Sequence, residues 1–572
     1  MKNITRRDLL QAGALGASVI GLGAFRASEA ASPAATSSYA DVYATLDGFV
    51  EQYMRDMNSP GMTLVLADRE AVQRVVTYGF GDLEARKPVA ESELFQIGSI
   101  SKSFLALALL QLHDEGKLDF QRPIVDYLPW LRIDSVHAPI TVHHLLTHST
   151  GLPGAGDVFQ ADPELRHLAA YAPGEHFHYN NAMYDVLGIL AWTLDGRELP
   201  ELLRGRLLRP LGMERSEPVI TLDVRDRLAR SYAPFLADRP FPRFGRLCEA
   251  PFVFATGGAG CVAATAADMG SYLRMIANGG RVGDGRLVSE ESFKLFSSPH
   301  ILAEDFGPGA HYGYGIAVDA LDGNRRLRHT GGMVSFMSSL MVDIDEGIGG
   351  FASINAQQGY RPNPVVQYAI QLMRAQRKGA ALPALPPADP PARVTNAAAF
   401  AGAYSGEKGK LELVAEGERL FVVHAGERVP LERLGEPDRF VARHRALDRF
   451  AFVFGRKDPD ATESPVVEVG WGGDWYRNAG YAGPDRFDYP EAWDAYVGHY
   501  RNESPWIGSF RVVLKKGRLT LDGTIPLEPD GELFRLRDSP HSTEWIRFGE
   551  IVNGRCMRLR LSGSDLWRVA AA

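Results

Sequence analysis

The segment Phe400-Ala-Gly-Ala-Tyr404 returns as Tyr496-Val-Gly-His-Tyr500, and Val429-Pro-Leu-Glu432 returns as Ile525-Pro-Leu-Glu528. Both pairs are 96 residues apart, a shared offset that chance matches need not obey. A repeat of this kind means that one structural unit is used twice in the C-terminal third of the chain. Short alternating strands separated by turn signals make each copy an antiparallel all-β module. Small closed barrels suit the pattern, because closure leaves no exposed sheet edge. The modules are placed at residues 395–488 and 489–572. Just before them, residues 383–391 read PALPPADPP, whose five prolines remove backbone donors and favour extended chain. The spacer is placed at 379–394.

Residues 38–378 then form a separate, larger domain. Helical spacing of Tyr, Leu, Phe, Val and Met covers 39–58, and strands are expected at Gly61–Ala67 and Val72–Tyr78. A strong helix pattern covers Ser101–Glu115, and another helix starts with a capping signal at Thr265-Ala-Ala-Asp268. Late strands are expected at Gly313–Asp319, Phe336–Asp343 and Gly349–Asn355. Strands at both ends with helices between them predict a mixed domain whose sheet is closed by sequence-distant strands. With 45% AVILMFWYC and 23% DEKR the whole chain of 572 residues has a globular composition, not that of a disordered, collagen-like or coiled-coil protein. A net charge of -8 spread over this length gives no basic footprint for nucleic acid. Three cysteines are too few for a disulfide scaffold. Cys248 and Cys261 are read as a possible pair or as free buried thiols, and Cys556 has no apparent partner.

The first residues read as an address. Thr5-Arg6-Arg7-Asp8-Leu9-Leu10 precedes a mildly apolar stretch to Phe25, with Ser28-Glu29-Ala30 as a cleavage site. This resembles a twin-arginine export signal over residues 1–30, the alternative being a short membrane anchor. The implied location is the periplasm or the exterior, and no later stretch of sequence is apolar and long enough to span a bilayer.

Three separated motifs carry candidate chemistry. In Phe95-Gln-Ile-Gly98-Ser99-Ile-Ser-Lys102, a glycine turn opens a helix that carries Ser99 and Lys102 on one face, about 5–6 Å apart at Cβ. A serine becomes a nucleophile only beside a base, and a lysine can serve if burial lowers its pKa. Alone, Ser-x-x-Lys is so common that the pair reads first as an N-cap serine and a solvated first-turn lysine. Tyr179-Asn180-Asn181 follows Pro173-Gly-Glu175 and precedes a helix pattern. There a tyrosine can share a proton with a lysine, and Asn181 can hydrogen-bond substrate or lysine; the plain alternative is a turn with Asn180 or Asn181 as cap. In His329-Thr330-Gly331-Gly332, paired glycines let backbone approach a substrate, and the alternative is a surface hairpin.

The ordered set, with Tyr179 lying 80 residues after Ser99 and His329 a further 150 on, resembles the β-lactamase-related serine hydrolases, including class C β-lactamases, DD-peptidases, D-aminopeptidases and related esterases. Ile140-Thr-Val-His-His-Leu-Leu-Thr-His-Ser-Thr-Gly-Leu-Pro153 and Phe254-Ala-Thr-Gly-Gly-Ala-Gly-Cys261 look like the same family. The resemblance implies an α+β fold, in which a β-lactamase/transpeptidase-like α/β sandwich precedes two small antiparallel, lipocalin-like barrels. It implies that Ser99 forms an acyl-enzyme and that Lys102 and Tyr179 exchange the proton. Asn181 and Thr330 would hold substrate, with Gly331 and Gly332 beside an oxyanion hole built from the Ser99 and Gly332 N–H groups. His143, His144 and His148 resemble structural residues of the family, so no metal and no cofactor are expected. The expected substrates are short peptides or amides, as for a D-aminopeptidase or DD-peptidase. Alternatives are esters, slow β-lactam turnover, or ligand capture without catalysis.

One departure matters. Where many family members carry lysine, this chain has His329, read here as a weaker, pH-dependent cation counted with the catalytic residues. Loss of a fixed charge there weakens the case for carboxylate-bearing substrates. The eight aromatics between Trp471 and Tyr496 are read first as filling for a barrel and its junction, with glycan stacking or a loop over the active site as alternatives.

Overall fold

A computed structural model describes residues 28–29, 39–154, 167–236, 238–240, 246–357, 361–387, 389–537 and 541–570. The twin-arginine motif at Arg6-Arg7 lies outside these residues. Among the described residues, no helix is long and apolar enough to cross a membrane.

The larger domain starts with helix α1 (Ala40–Asp56) and strands β1 (Gly61–Asp68) and β2 (Val72–Asp82). Helices α2 (Ser101–Asp114), α3 (Asn181–Asp195) and α4 (Ala266–Ala277) follow. Strands β3 (Ala317–Leu321), β4 (Asn324–Gly332), β5 (Met337–Asp343) and β6 (Ile348–Ile354) and helix α5 (Asn363–Arg377) complete it. The sheet runs β2-β1-β6-β5-β4-β3 with every pairing antiparallel, so β1 from the start of the domain is hydrogen-bonded to β6 from its end.

Side chains alternate between two cores, as the two-residue period of a strand requires. Leu64 and Leu66 of β1 face α1 and α5, where Val50, Val366 and Ile370 meet them. Val65 and Ala67 face the other way, toward Phe104 of α2 and Leu273 of α4. Because both faces are covered, β1, β5 and β6 are buried along their whole length. Helix α2 is buried nearly all round, which explains its almost uninterrupted apolar sequence. The strand expected over Gly313–Asp319 is interrupted: Gly313–Ile316 is a bend that delivers Tyr314 and Ile316 into the core, and β3 begins only at Ala317.

Past α5 the chain runs irregularly through 380–387, pinned where the Tyr368 hydroxyl donates to Pro383 O at 3.0 Å. Two closed antiparallel barrels of eight strands follow, at 402–477 and 498–569. The repeated residues occupy equivalent places. The Tyr404 hydroxyl donates four residues back to Phe400 O at 2.9 Å, and Tyr500 does the same to Tyr496 O at 2.7 Å. Tyr489 is exposed, but the other aromatics after Trp471 are packing groups: Trp475 meets Tyr481 and Phe487 edge-on, Lys516 of the second barrel lies over Trp475, and Tyr496 stacks on Phe548. Cys248, Cys261 and Cys556 are all free thiols.

Candidate active site

Ser99 lies in a 3-10 turn (Gly98–Ile100) that leads directly into α2, two residues before the helix begins. That turn rests against the end of β4. Gly98 has φ +55°, and a Cβ there would sit 2.7 Å from Gly332 N; a Cβ on Gly331 would overlap Ile97 O. The glycines therefore let the first and third motifs touch backbone to backbone, at positions where any side chain would force them apart.

Lys102 is fully buried in the first turn of α2. Its Nζ donates to Ser99 Oγ at 3.1 Å, to Asn181 Oδ1 at 2.7 Å and to Ala259 O at 2.7 Å. Burial brings its pKa down to about 7, against the opposing pull of the Asp185 charge. Asp185 in turn accepts from Ala259 N–H at 3.1 Å, which holds the carbonyl that Lys102 uses.

The Tyr179 ring lies 4.9 Å from Lys102 Nζ. Burial pushes its hydroxyl pKa well up, a hydrogen bond with Ser99 only partly opposing this, so Tyr179 is a neutral phenol in the resting site. The two asparagines divide the work. Asn180 is the N-cap of α3, accepting from Met183 N–H at 3.1 Å and donating to Leu152 O and Pro153 O. That leaves the Asn181 side chain for Lys102.

His329 differs from its expected role. It is 1% exposed, and burial and the neighbouring Lys102 charge bring its pKa down to about 3. Its Nδ1 lies 2.7 Å from Thr330 O and its Nε2 2.8 Å from the Tyr312 hydroxyl, so a neutral ring donates at one nitrogen and accepts at the other. A pH-dependent cation at this position is therefore corrected to a neutral, hydrogen-bonded imidazole. A guanidinium does lie beside the motif: Arg361 Nη1 donates to Thr330 Oγ1 at 3.2 Å, and the guanidinium would touch a Cβ on Gly332 at 3.3 Å. No motif marks Arg361. It lies just ahead of α5, and only the sheet topology brings it beside the third motif.

The three histidines of the 140–153 segment have structural partners. His143 Nδ1 meets the Tyr314 hydroxyl at 2.9 Å, His144 Nδ1 accepts from Thr141 N–H at 3.0 Å, and His148 Nδ1 accepts from Asn180 N–H at 3.0 Å.

Ser99, Asn181 and Gly332 line a cleft of about 1000 Å³. Its opposite wall belongs to the second barrel, which supplies Asn502, Trp506 and Trp567. Trp506, Trp567 and Phe254 from the larger domain are about half exposed there. The repeat in the sequence identifies the barrel but gives no sign that it reaches the cleft, and the aromatics that do so are not those of 471–496.

Comparison with known proteins finds the beta-lactamase family profile over residues 46–374. Esterase EstB of Burkholderia gladioli is 32% identical over 200 residues, 30% of this chain and 51% of the esterase, so the chain spans about half the length of that relative. Penicillin-binding protein 4 of Amycolatopsis lactamdurans is 28% identical over 340 residues, 56% of this chain and 87% of that protein. Among solved structures, the octameric penicillin-binding protein homologue from Pyrococcus abyssi matches with a TM-score of 0.54 and 24% identity, covering 76% of this chain and 100% of that one. That likeness concerns the fold.

Proposed function

The chain belongs to the beta-lactamase family, and on that premise we propose that it is a serine hydrolase that forms an acyl-enzyme through Ser99 and cleaves short peptides or amides. The observation that carries this reading is the buried Lys102 amine, 3.1 Å from Ser99 Oγ with a pKa of about 7. Near neutral pH a large share of the lysine is uncharged. It then keeps two N–H donors for Asn181 and Ala259 and turns its lone pair to the Ser99 hydroxyl.

Lys102 takes the Ser99 proton as Oγ attacks the carbonyl. The Ser99 and Gly332 N–H groups receive the oxyanion. Tyr179 donates its proton to the leaving group, and the new Lys102 ammonium 4.9 Å from its ring stabilises the phenolate. That phenolate then draws a proton from water, which attacks the acyl-enzyme, and Lys102 returns its proton to Ser99.

Arg361 supports a substrate with a carboxylate near the scissile bond, as at a peptide C-terminus. The half-exposed Trp506, Trp567 and Phe254 support an apolar group beside it. Esters are the second reading, favoured by the 32% identity to an esterase. Export through the Arg6-Arg7 signal belongs to the same proposal.

The test is covalent labelling with a serine-reactive phosphonate, followed by turnover of D-aminoacyl anilides, short D-peptides, p-nitrophenyl esters and nitrocefin. Labelling is expected at Ser99 and should vanish in Ser99→Ala. Label retained at another residue sinks the nucleophile assignment, and ester turnover with no amide cleavage selects the second reading.

A further inference from the structure

One carboxylate of the second barrel penetrates the larger domain beside the candidate active site. Glu544 is 7% exposed. Its Oε1 accepts from Gly154 N–H at 2.6 Å and lies 3.1 Å from His178 Nε2, and its Oε2 accepts from Ser562 Oγ at 2.5 Å. A carboxylate only accepts, so His178 Nε2 carries the proton. Burial by itself raises the Glu544 pKa, but the bonds from His178, Ser562 and Gly154 together outweigh it and leave the carboxyl below its usual range.

Both partners in the larger domain flank Tyr179. His178 precedes it in the chain, and its own N–H donates to His148 O at 2.8 Å. Gly154 packs on its backbone, so closely that a Cβ there would sit 2.9 Å from Tyr179 O. The same barrel segment adds Thr543, whose hydroxyl donates to Leu152 O at 3.2 Å, and His541, whose ring stacks on His176 at 3.6 Å. Leu152 O also receives the Asn180 side chain, so the contacts converge on the turn that carries Tyr179 and Asn181.

We propose that Glu544 is a positioning residue for Tyr179, so that the second barrel completes the active site by tying together Gly154, which packs on the Tyr179 backbone, and His178, which precedes that tyrosine. The inference rests on the reading of Ser99, Lys102 and Tyr179 as the reacting groups. Its physical basis is the sensitivity of proton transfer to placement: a displacement of about 1 Å at a reacting group can cost on the order of a hundredfold in rate.

The experiment uses the full chain with Glu544→Ala, Glu544→Gln and His178→Ala. It reads the rate of phosphonate acylation at Ser99, and separately the hydrogen exchange of backbone amides in 176–181. Glu544→Ala is expected to slow acylation by roughly tenfold or more and to speed exchange in 176–181. Glu544→Gln should restore most of both, because its Oε1 still accepts from Gly154 and His178 while Ser562 can accept from its amide. His178→Ala should reproduce the loss with the barrel untouched. Acylation within twofold of the parent in Glu544→Ala overturns the proposal, as does unchanged exchange in 176–181. If Glu544→Ala does not fold, parent-like acylation in His178→Ala does the same. Failure of the parent to label at Ser99 counts against the nucleophile assignment, and the exchange measurement still decides on positioning.

Discussion

Lys102 donates to three acceptors, none of them a carboxylate among the described residues, an arrangement that holds the amine in place without fixing its charge. Since burial lowers its pKa to about 7, the base form gains population as pH rises through that value. Acylation of Ser99 is therefore expected to increase up to about pH 7 and then level off, measured as the pH dependence of phosphonate labelling. Lys102→Arg, which cannot deprotonate, should lower the rate by roughly a hundredfold or more. A flat profile between pH 6 and 8 would contradict the assignment. The spacing of Ser99 and Lys102 is visible in the sequence; the lowered pKa is not, because it comes from burial in a core assembled from distant segments. His329 makes the same point from the other side. Its position in a motif suggests a titrating cation, and its burial removes that charge.

Helix starts and strand pairings decide where the reacting groups point. The turn before α3 could have used either asparagine as a cap, and the structure assigns the cap to Asn180. Asn180→Ala removes that cap and strips Leu152 O and Pro153 O of a donor. A loss of about 1–3 kcal/mol is expected in denaturant unfolding, together with slower acylation, because Tyr179 and Asn181 flank the altered residue. Unchanged stability would show that α3 is capped by something else. The central strands are legible as apolar runs because they are covered on both faces. Gly313–Asp319 misleads for the same reason: apolar residues at a buried bend look like a strand until the chain direction is known.

At the scale of the whole molecule, burial sets a pH limit on the fold. His148 and His329 are almost completely buried, with pKa values well below 6.5 and about 3. Below about pH 6.5 the unfolded chain binds protons at these rings while the folded chain does not, so stability is lost as pH falls. Each ring contributes about 1.4 kcal/mol per pH unit across that window. Asp522, raised to about 6 by burial, works in the opposite direction below that pH and offsets about one ring. The midpoint of thermal unfolding should drop between pH 7 and pH 5, and a constant midpoint would show that the rings are solvated. By itself the sequence determined the motifs, the repeat and the family resemblance, because each depends on residue type and spacing along the chain. Only the tertiary structure decided that Arg361 lies beside the third motif, that His329 is neutral, that Trp506 and Trp567 of the second barrel line the cleft, and that Glu544 of the same barrel reaches Gly154 and His178. Electrostatics and pocket walls depend on distance and burial in space, which chain spacing does not encode.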